Sequence, residues 1–344
     1  IGRVPGGLAS ATVMASAIFA SASGSSVATA AAFSRIAVPE MLRAKYSPAL
    51  ATGCVAAAGT LGSLIPPSIL MILYGIFTDS SIGALFVGGV IPGILSAVMY
   101  IAMITIRATR SPEIAPPELT VYSREDRNRA FADIWPLPVL ILGVLGGIFL
   151  GIFSPTEGGA VGAGLAAVIA LSRRALNWES IRRSLAETAL GTSSIFIIAI
   201  GASMFSAFMG LSTLPNSVAN FLLAYVESPT AVIAVMAVLV IILGMFVDAI
   251  SLLLLTIPIL LPVLRGMEIN LIWFGIIMIK LLEIGLMTPP VGMNVFVIKS
   301  SLGKTVSLGQ IFSGAAWFVV TDLVTLALLI GFPALTLFLP GLMK

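Results

Sequence analysis

The 344-residue sequence has no histidine, a single cysteine and few charges, 10% of residues against 58% hydrophobic. Without histidine there is no imidazole to act as general base, metal ligand or proton relay. Cys54 alone closes no internal disulfide and builds no cysteine metal cluster, so it says nothing about redox compartment and reads as a small buried hydrophobe. The shortage of charge excludes more. A soluble domain carries about 25% charged residues, so this chain cannot cover a water-facing surface, and lipid must be its solvent. The net charge is only +3, and the basic residues sit in short connectors instead of a stripe, which argues against nucleic acid as a partner. There is no Walker loop, no metal-ligand spacing and no His-based triad. No enzyme and no cofactor are expected, and any active transport must draw on ion gradients.

What is present is apolar sequence. A spanning helix needs roughly 20 apolar residues, which leaves room for about ten spans when hairpins and broken helices are counted. Four polar connectors interrupt the apolar runs, at 35–45, 107–133, 173–187 and 299–310. The second is the longest, and Pro112, Pro116 and Pro117 predict a loop in its first half. Of the 18 basic residues, 14 fall in these connectors: Arg35, Arg43, Lys45, Arg107, Arg110, Arg124, Arg127, Arg129, Arg173, Arg174, Arg182, Arg183, Lys299 and Lys304. All lie on one side if each apolar block between them crosses an even number of times, and the positive-inside rule makes that side cytoplasmic. Residues 174–187 read equally as a short amphipathic helix on the membrane surface or as a solvated connector. The chain begins Ile1-Gly2-Arg3 without an initiator Met or a signal-peptide pattern, so a longer natural N-terminus is expected.

Two parts of the chain match at an offset of 223 residues: Pro39 with Pro262, Gly62 with Gly285, Pro66 with Pro289 and Pro67 with Pro290. Each part reads as a hairpin-like segment followed by a long apolar segment broken at Gly-x-x-x-Pro-Pro. Arg43 and Lys45 follow the first hairpin on the cytoplasmic side, whereas Arg265 and Glu268 follow the second on the other side. The repeats should therefore be inverted, and interrupted helices at corresponding positions of inverted repeats point to a transporter binding site.

A Pro-Pro pair removes backbone donors and leaves carbonyl oxygens without helix partners. Bare carbonyls in hydrocarbon cost several kcal/mol each, and a desolvated cation is their natural partner. A kink serving only packing is the competing reading. Gly62 and Gly285 let backbone approach an ion closely. Ser23, Ser25, Ser26 and Thr288 add neutral hydroxyl oxygens, a donor set that suits Na+. Helix N-termini at hairpin tips and breaks favour an anionic group such as a carboxylate.

Ionisable residues within the apolar runs are Glu157, Asp248, Lys280, Glu283 and Asp322, each a functional candidate by default. Lys280 and Glu283, three apart, can pair on one helix, which favours a structural role. Asp248 stands where Ser25 stands in the first repeat and could face substrate or ion. Glu157 could equally cap a helix start. Asp322, in the last apolar run, reads as structural.

The blocks SASGSSVATAAAFSRIAVPEM, GTLGSLIPPSILMILYG, SPTEGGAVGA, FVDAISLLLLTIPILLPV and GLMTPPVGMNVFVIK together resemble the large membrane subunit of tripartite ATP-independent periplasmic (TRAP) transporters, the DctM-like permeases. The resemblance covers essentially the whole chain and starts inside the family pattern, so the scaffold helices that precede the first hairpin are expected to be missing. It implies an all-α integral membrane protein of the ion-transporter superfamily type, with inverted repeats, two re-entrant hairpins, two broken helices and an elevator mechanism. The implied division is a first transport-domain repeat at 8–78, scaffold and connecting helices at 79–228, a second transport-domain repeat at 229–299 and a C-terminal scaffold helix at 300–344. Two Na+ sites are implied, one at Ser23, Ser25, Gly62, Ile65 and Pro67, the other at Gly244, Gly285, Thr288 and Met293. Asp248, Ser26 and Asn294 are the implied substrate contacts. The expected function is Na+-coupled uptake of a small organic anion, a carboxylate or acid sugar, through the bacterial inner membrane. The expected partners are a small DctQ-like membrane subunit and a DctP-like periplasmic binding protein. A stand-alone Na+- or H+-coupled anion symporter of the wider superfamily is the alternative. A channel is disfavoured, having no need of an inverted repeat.

Overall fold

The computed structural model describes residues 5–116, 123–212, 214–215, 217 and 228–343. Among the described residues all regular structure is helical. In chain order the helices are α1 (Gly7–Ser23), α2 (Ser26–Arg43), α3 (Pro48–Leu64), α4 (Ile69–Thr78), α5 (Ile82–Arg110), α6 (Arg124–Ile134), α7 (Pro136–Phe149), α8 (Pro155–Ser172), α9 (Trp178–Leu211), α10 (Pro229–Gly244), α11 (Ala249–Gly266), α12 (Leu271–Met287), α13 (Met293–Leu302), α14 (Leu308–Gly331) and α15 (Ala334–Leu337).

The 223-residue repeat holds at the level of helices. Ser26–Arg43 answers Ala249–Gly266, and Pro48–Leu64 answers Leu271–Met287, with both ends of each helix displaced by 223 residues. The start signals correspond too. Ser25 caps α2 and Asp248 caps α11, while Ser47 caps α3 and Asn270 caps α12. In each case a side-chain oxygen takes up a backbone N–H that the first helical turn leaves free.

The buried side chains form two cores, and the helices cross between them. The first gathers α10 and α11 with α4 and most of α12. The second gathers α1, α2 and α3 with α13. Helix α5 enters at Leu85 and Phe86 in the first core and leaves at Tyr100, Ile104 and Ala108 in the second. Helix α14 runs the other way, from Ile311, Ala315 and Phe318 in the second core to Leu326 in the first. Each broken helix likewise starts in the core of its own repeat and finishes in the other. Backbones meet where glycine permits: Gly53 of α3 lies against Gly314 of α14, and a Cβ on either would enter the other helix's backbone.

Among the described residues four helices, α5, α9, α11 and α14, are long and apolar enough to cross a membrane, and α3 with α4, bent by 41° at their break, makes up to five. The sequence left room for about ten passes. The difference lies in helices such as α7, α10 and α13, which are apolar but shorter than a span. Residues 174–187 form no separate surface helix. Asn177 caps Trp178, and one 34-residue helix runs from there through Leu211. Glu157 closes a capping box with Ser154 at the start of α8, its Oε2 accepting from the Ser154 backbone N–H at 2.7 Å. In the long polar connector a short 3-10 turn follows Pro112 and helix α6 forms its second half, whereas Pro117 lies outside the described residues.

Candidate functional site: a pocket where two helix breaks meet

Pro66 and Pro67 have no N–H, so the carbonyls of Gly62 and Ser63 lose the donors four residues on. Pro289 and Pro290 do the same to Gly285 and Leu286, and the Gly285 carbonyl accepts instead from the Thr288 N–H at 3.1 Å, which leaves it one lone pair. Helix α3 stops at Leu64 and α12 at Met287, and both Pro-Pro bonds are cis.

The α1–α2 turn packs onto the first break. A Cβ on Gly62 would lie 3.2 Å from the Ser25 carbonyl, and one on Gly24 3.0 Å from the Pro67 oxygen. Gly24 has φ 62°, a left-handed turn conformation that glycine adopts without strain. The Ser23 hydroxyl is 2.9 Å from that of Thr29, which donates to the Ser25 carbonyl at 2.9 Å. Ser23, Ser25, Gly62 and Pro67 thus converge, with Thr29, not singled out in the sequence, beside them. Ile65 caps the end of α3, and its side chain packs on Gly93 of α5, which leaves its backbone to face the break.

In the second repeat a Cβ on Gly285 would lie 2.7 Å from Gly244 Cα. The two helices therefore touch backbone to backbone. The Thr288 hydroxyl donates to the Ile284 carbonyl at 2.6 Å, so its oxygen lone pairs remain free to accept or to ligate. Met293 starts α13 and is 37% exposed.

Between the two repeats lies a cavity of about 230 Å³. Ser25, Ser26 and Ser63 line it from the first repeat, and Asp248, Ile250 and Met293 from the second. Two helix N-termini, those of α2 and α11, therefore open into one pocket. They differ in charge. Asp248 Oδ1 accepts from the N–H groups of Ile250 and Ser251, at 3.1 and 3.0 Å. Ser25 takes one N–H, that of Ala28, with a neutral hydroxyl. A carboxylate already answers the positive end of α11, whereas that of α2 remains open to an external anion. Asn294 lies behind Ser26, fully buried, and donates to the Ser26 hydroxyl at 2.8 Å and to the Ala56 carbonyl at 3.4 Å.

The charged residues beneath the pocket pair differently from expectation. Lys280 does not pair with Glu283. It forms a buried ion pair with Asp322 of α14 and donates to Ser96 of α5 at 3.2 Å. Tyr100 donates to the same Asp322 carboxylate at 2.7 Å and stands 3.4 Å from the Thr60 hydroxyl. Glu283 instead accepts from the Ser26 hydroxyl at 3.2 Å, with Ser63 beside it. The spacing of three permitted a pair, but α14 presses a carboxylate against Lys280 and α2 presents a hydroxyl to Glu283. Asp322 is thus tied to α12 and is not isolated. Ser63, Ser96, Thr60 and Tyr100 escaped the sequence because hydroxyls are common in apolar helices. The clue was the need for Lys280, Glu283 and Asp322 to find partners in the interior.

Apolar helices long enough to span, together with a largely apolar pocket at two helix breaks into which hydroxyls and one carboxylate project, define a multi-pass α-helical membrane protein. The chain matches the family described as "Tripartite ATP-independent periplasmic transporter, DctM component" over residues 1–335. It is 36% identical over 342 residues to the C4-dicarboxylate TRAP transporter large permease protein DctM of Pseudomonas aeruginosa, a match covering 99% of this chain and 79% of that protein. It is 31% identical to the sialic acid TRAP transporter large permease protein SiaM of Vibrio cholerae, with 99% and 79% covered. It is 34% identical over 302 residues to the isethionate TRAP transporter permease protein DctMQ of Oleidesulfovibrio alaskensis, with 86% of this chain and 47% of that protein covered. The chain belongs to the TRAP transporter family, as a large permease component of the DctM type.

Proposed function

We propose that this permease carries out Na+-coupled uptake of a small organic anion across the bacterial inner membrane. The observation that carries the reading is the pocket that the N-termini of α2 and α11 share, because at one of them, at Ser25 and Ser26, no carboxylate takes up the N–H groups of the first turn. The relatives described above are named for C4-dicarboxylates, sialic acid and isethionate, chemically different solutes that share an anionic group. In this reading Ser26, Asp248 and Asn294 form the substrate site, the first directly and the last through Ser26. The carbonyls freed at the two breaks ligate Na+, with Ser23, Ser25, Gly62, Ile65 and Pro67 around one ion and Gly244, Gly285, Thr288 and Met293 around the other.

The transport step is an elevator movement. Hairpins α1–α2 and α10–α11, read as re-entrant, move with the broken helices α3–α4 and α12–α13 (residues 8–78 and 229–299) against the remaining helices. The opposite order in which α5 and α14 cross the two cores supports an inverted repeat. Helices α5 and α14 contact this unit closely, through Gly314 against Gly53 and through Ser96 and Asp322 on Lys280. A small DctQ-like subunit and a DctP-like periplasmic binding protein complete the transporter, and the fused DctMQ relative is in keeping with such a subunit.

Reconstitution in liposomes with the small subunit and the binding protein tests this. Succinate, sialic acid and isethionate serve as labelled probes. Uptake of one of them that requires both the binding protein and an inward Na+ gradient is the expected result. Uptake by the permease alone overturns the tripartite reading in favour of a stand-alone symporter. Flux indifferent to any gradient overturns coupling altogether.

A further inference from the structure

The ion pair beneath the pocket leaves one charge over. Lys280 bonds Asp322 and Ser96, so among the described residues no cation is bonded to the fully buried Glu283 carboxylate. A buried carboxylate without a counter-charge is strongly disfavoured, more so within a membrane. Two buried oxygens beside it have no hydrogen-bond donor among the described residues, Glu283 Oε1 and Asn294 Oδ1. Both belong to residues bonded to the same hydroxyl, that of Ser26. Resting on the sodium coupling proposed above, we propose that Glu283 Oε1, Asn294 Oδ1 and the hydroxyls of Ser26 and Ser63 form a further Na+ site, and that filling it promotes binding of the anion in the pocket above.

The chemistry fits a monovalent cation. All the donors are hard oxygens and only one is charged, whereas Ca2+ sites draw on several carboxylates and Mg2+ demands a near-octahedral shell with several waters. Access fits as well, because Ser26 and Ser63 line the pocket and face Glu283. The coupling follows from charge. Glu283 lies under the start of α2, where its negative charge opposes an anion on the Ser25–Ser26 side of the pocket. A cation on the carboxylate removes that opposition, and by linkage the anion must tighten the cation in turn. The first repeat has no equivalent, since the positions matching Glu283 and Asn294 are Thr60 and Met71.

Equilibrium binding of 22Na+ to the purified full-length protein, without substrate, tests the site directly. The wild type is expected to bind three Na+, two at the helix breaks and one at Glu283. Glu283→Gln keeps the shape and removes the charge, and is expected to bind two, while Thr288→Val weakens a different one. Equal counts in wild type and Glu283→Gln overturn the Glu283 site and leave the other two standing. No Na+ bound by the wild type overturns sodium coupling itself. If Glu283→Gln does not fold, the wild-type count decides, because two ions instead of three means that Glu283 is neutralised by something other than Na+.

Discussion

The two repeats share their helix lengths but not their charges. In the first, α2 is capped by neutral Ser25, and α3 carries Ala57 and Thr60 where α12 carries Lys280 and Glu283. In the second, Asp248 caps α11, and Lys280 pairs with Asp322, whose counterpart in α5 is Met99. A duplicated fold would place two equivalent anion-attracting helix ends around the pocket. Asymmetric charge leaves one end answered and the other open, which gives a nearly symmetric frame a polar direction. Ser26 of the first repeat, with Ser96 and Tyr100 of α5, offers these charges only hydroxyls.

The largest effect should come from breaking that dependence. Lys280→Met leaves Asp322 buried with only Tyr100, and removing one partner of a buried pair costs about 3–5 kcal/mol. A large fall in the thermal unfolding midpoint in detergent, or loss of folded protein, is the expected outcome. The double variant Lys280→Met/Asp322→Leu should recover much of it. A single variant as stable as wild type would show that the pair does not hold α12 to α14.

A second comparison sets matched glycines against each other. A Cβ on Gly285 meets Gly244 backbone at 2.7 Å, whereas one on Gly62 meets Ser25 backbone at 3.2 Å. Overpacking costs about 1–3 kcal/mol, and the backbone partner cannot rotate away as a side chain would. Gly285→Ala should therefore destabilise more than Gly62→Ala in the same unfolding measurement. The reverse order would mean that the first repeat is the tighter of the two.

These contrasts show what could be read from the sequence. The breaks were legible because proline's missing N–H acts locally, whatever the chain packs against. The helix starts at Ser25 and Asp248 were legible by alignment of the two halves, and so was the correspondence of Gly62 with Gly285. The partner of Lys280 was not, because spacing along one helix cannot show what a distant helix presses against it. Tyr100 and Ser96 lie some 180 residues away in sequence from Lys280. The division into full spans and shorter apolar helices such as α13 was not legible either, since apolar composition does not distinguish the two.

The pocket itself can be made symmetric. Asp248→Ser keeps a capping oxygen and removes the charge, so both helix ends become open to an anion. A charge near a helix end is worth about 0.3–1 kcal/mol, and up to about 2 when partly buried. Anion affinity should rise by a few fold, read as the half-saturating concentration of the transported probe. Ser25→Asp should lower it by a similar factor. If Asp248→Ser abolishes binding instead, the Asp248 carboxylate accepts hydrogen bonds from the substrate and its charge does not oppose the anion.

An effect of similar size belongs to the break residues, where Thr288 answers Ile65 across the repeat. The first break offers backbone oxygen at this position, and the second adds a hydroxyl whose proton is committed to the Ile284 carbonyl. That commitment leaves the oxygen's lone pairs free, so that in the proposed site it acts as a ligand and not as a donor. Thr288→Val keeps the shape and removes the oxygen. A net polar interaction of about 0.5–1.5 kcal/mol corresponds to a two- to twelve-fold weaker Na+ dependence at roughly 1.4 kcal/mol per tenfold. Transport measured against external Na+ should shift by that factor with its maximum rate retained. The loss should be confined to one ion, because the first break has no hydroxyl at this position to lose. An unchanged Na+ curve would remove Thr288 from the site and leave the second break with the same kind of ligands as the first, backbone carbonyls alone.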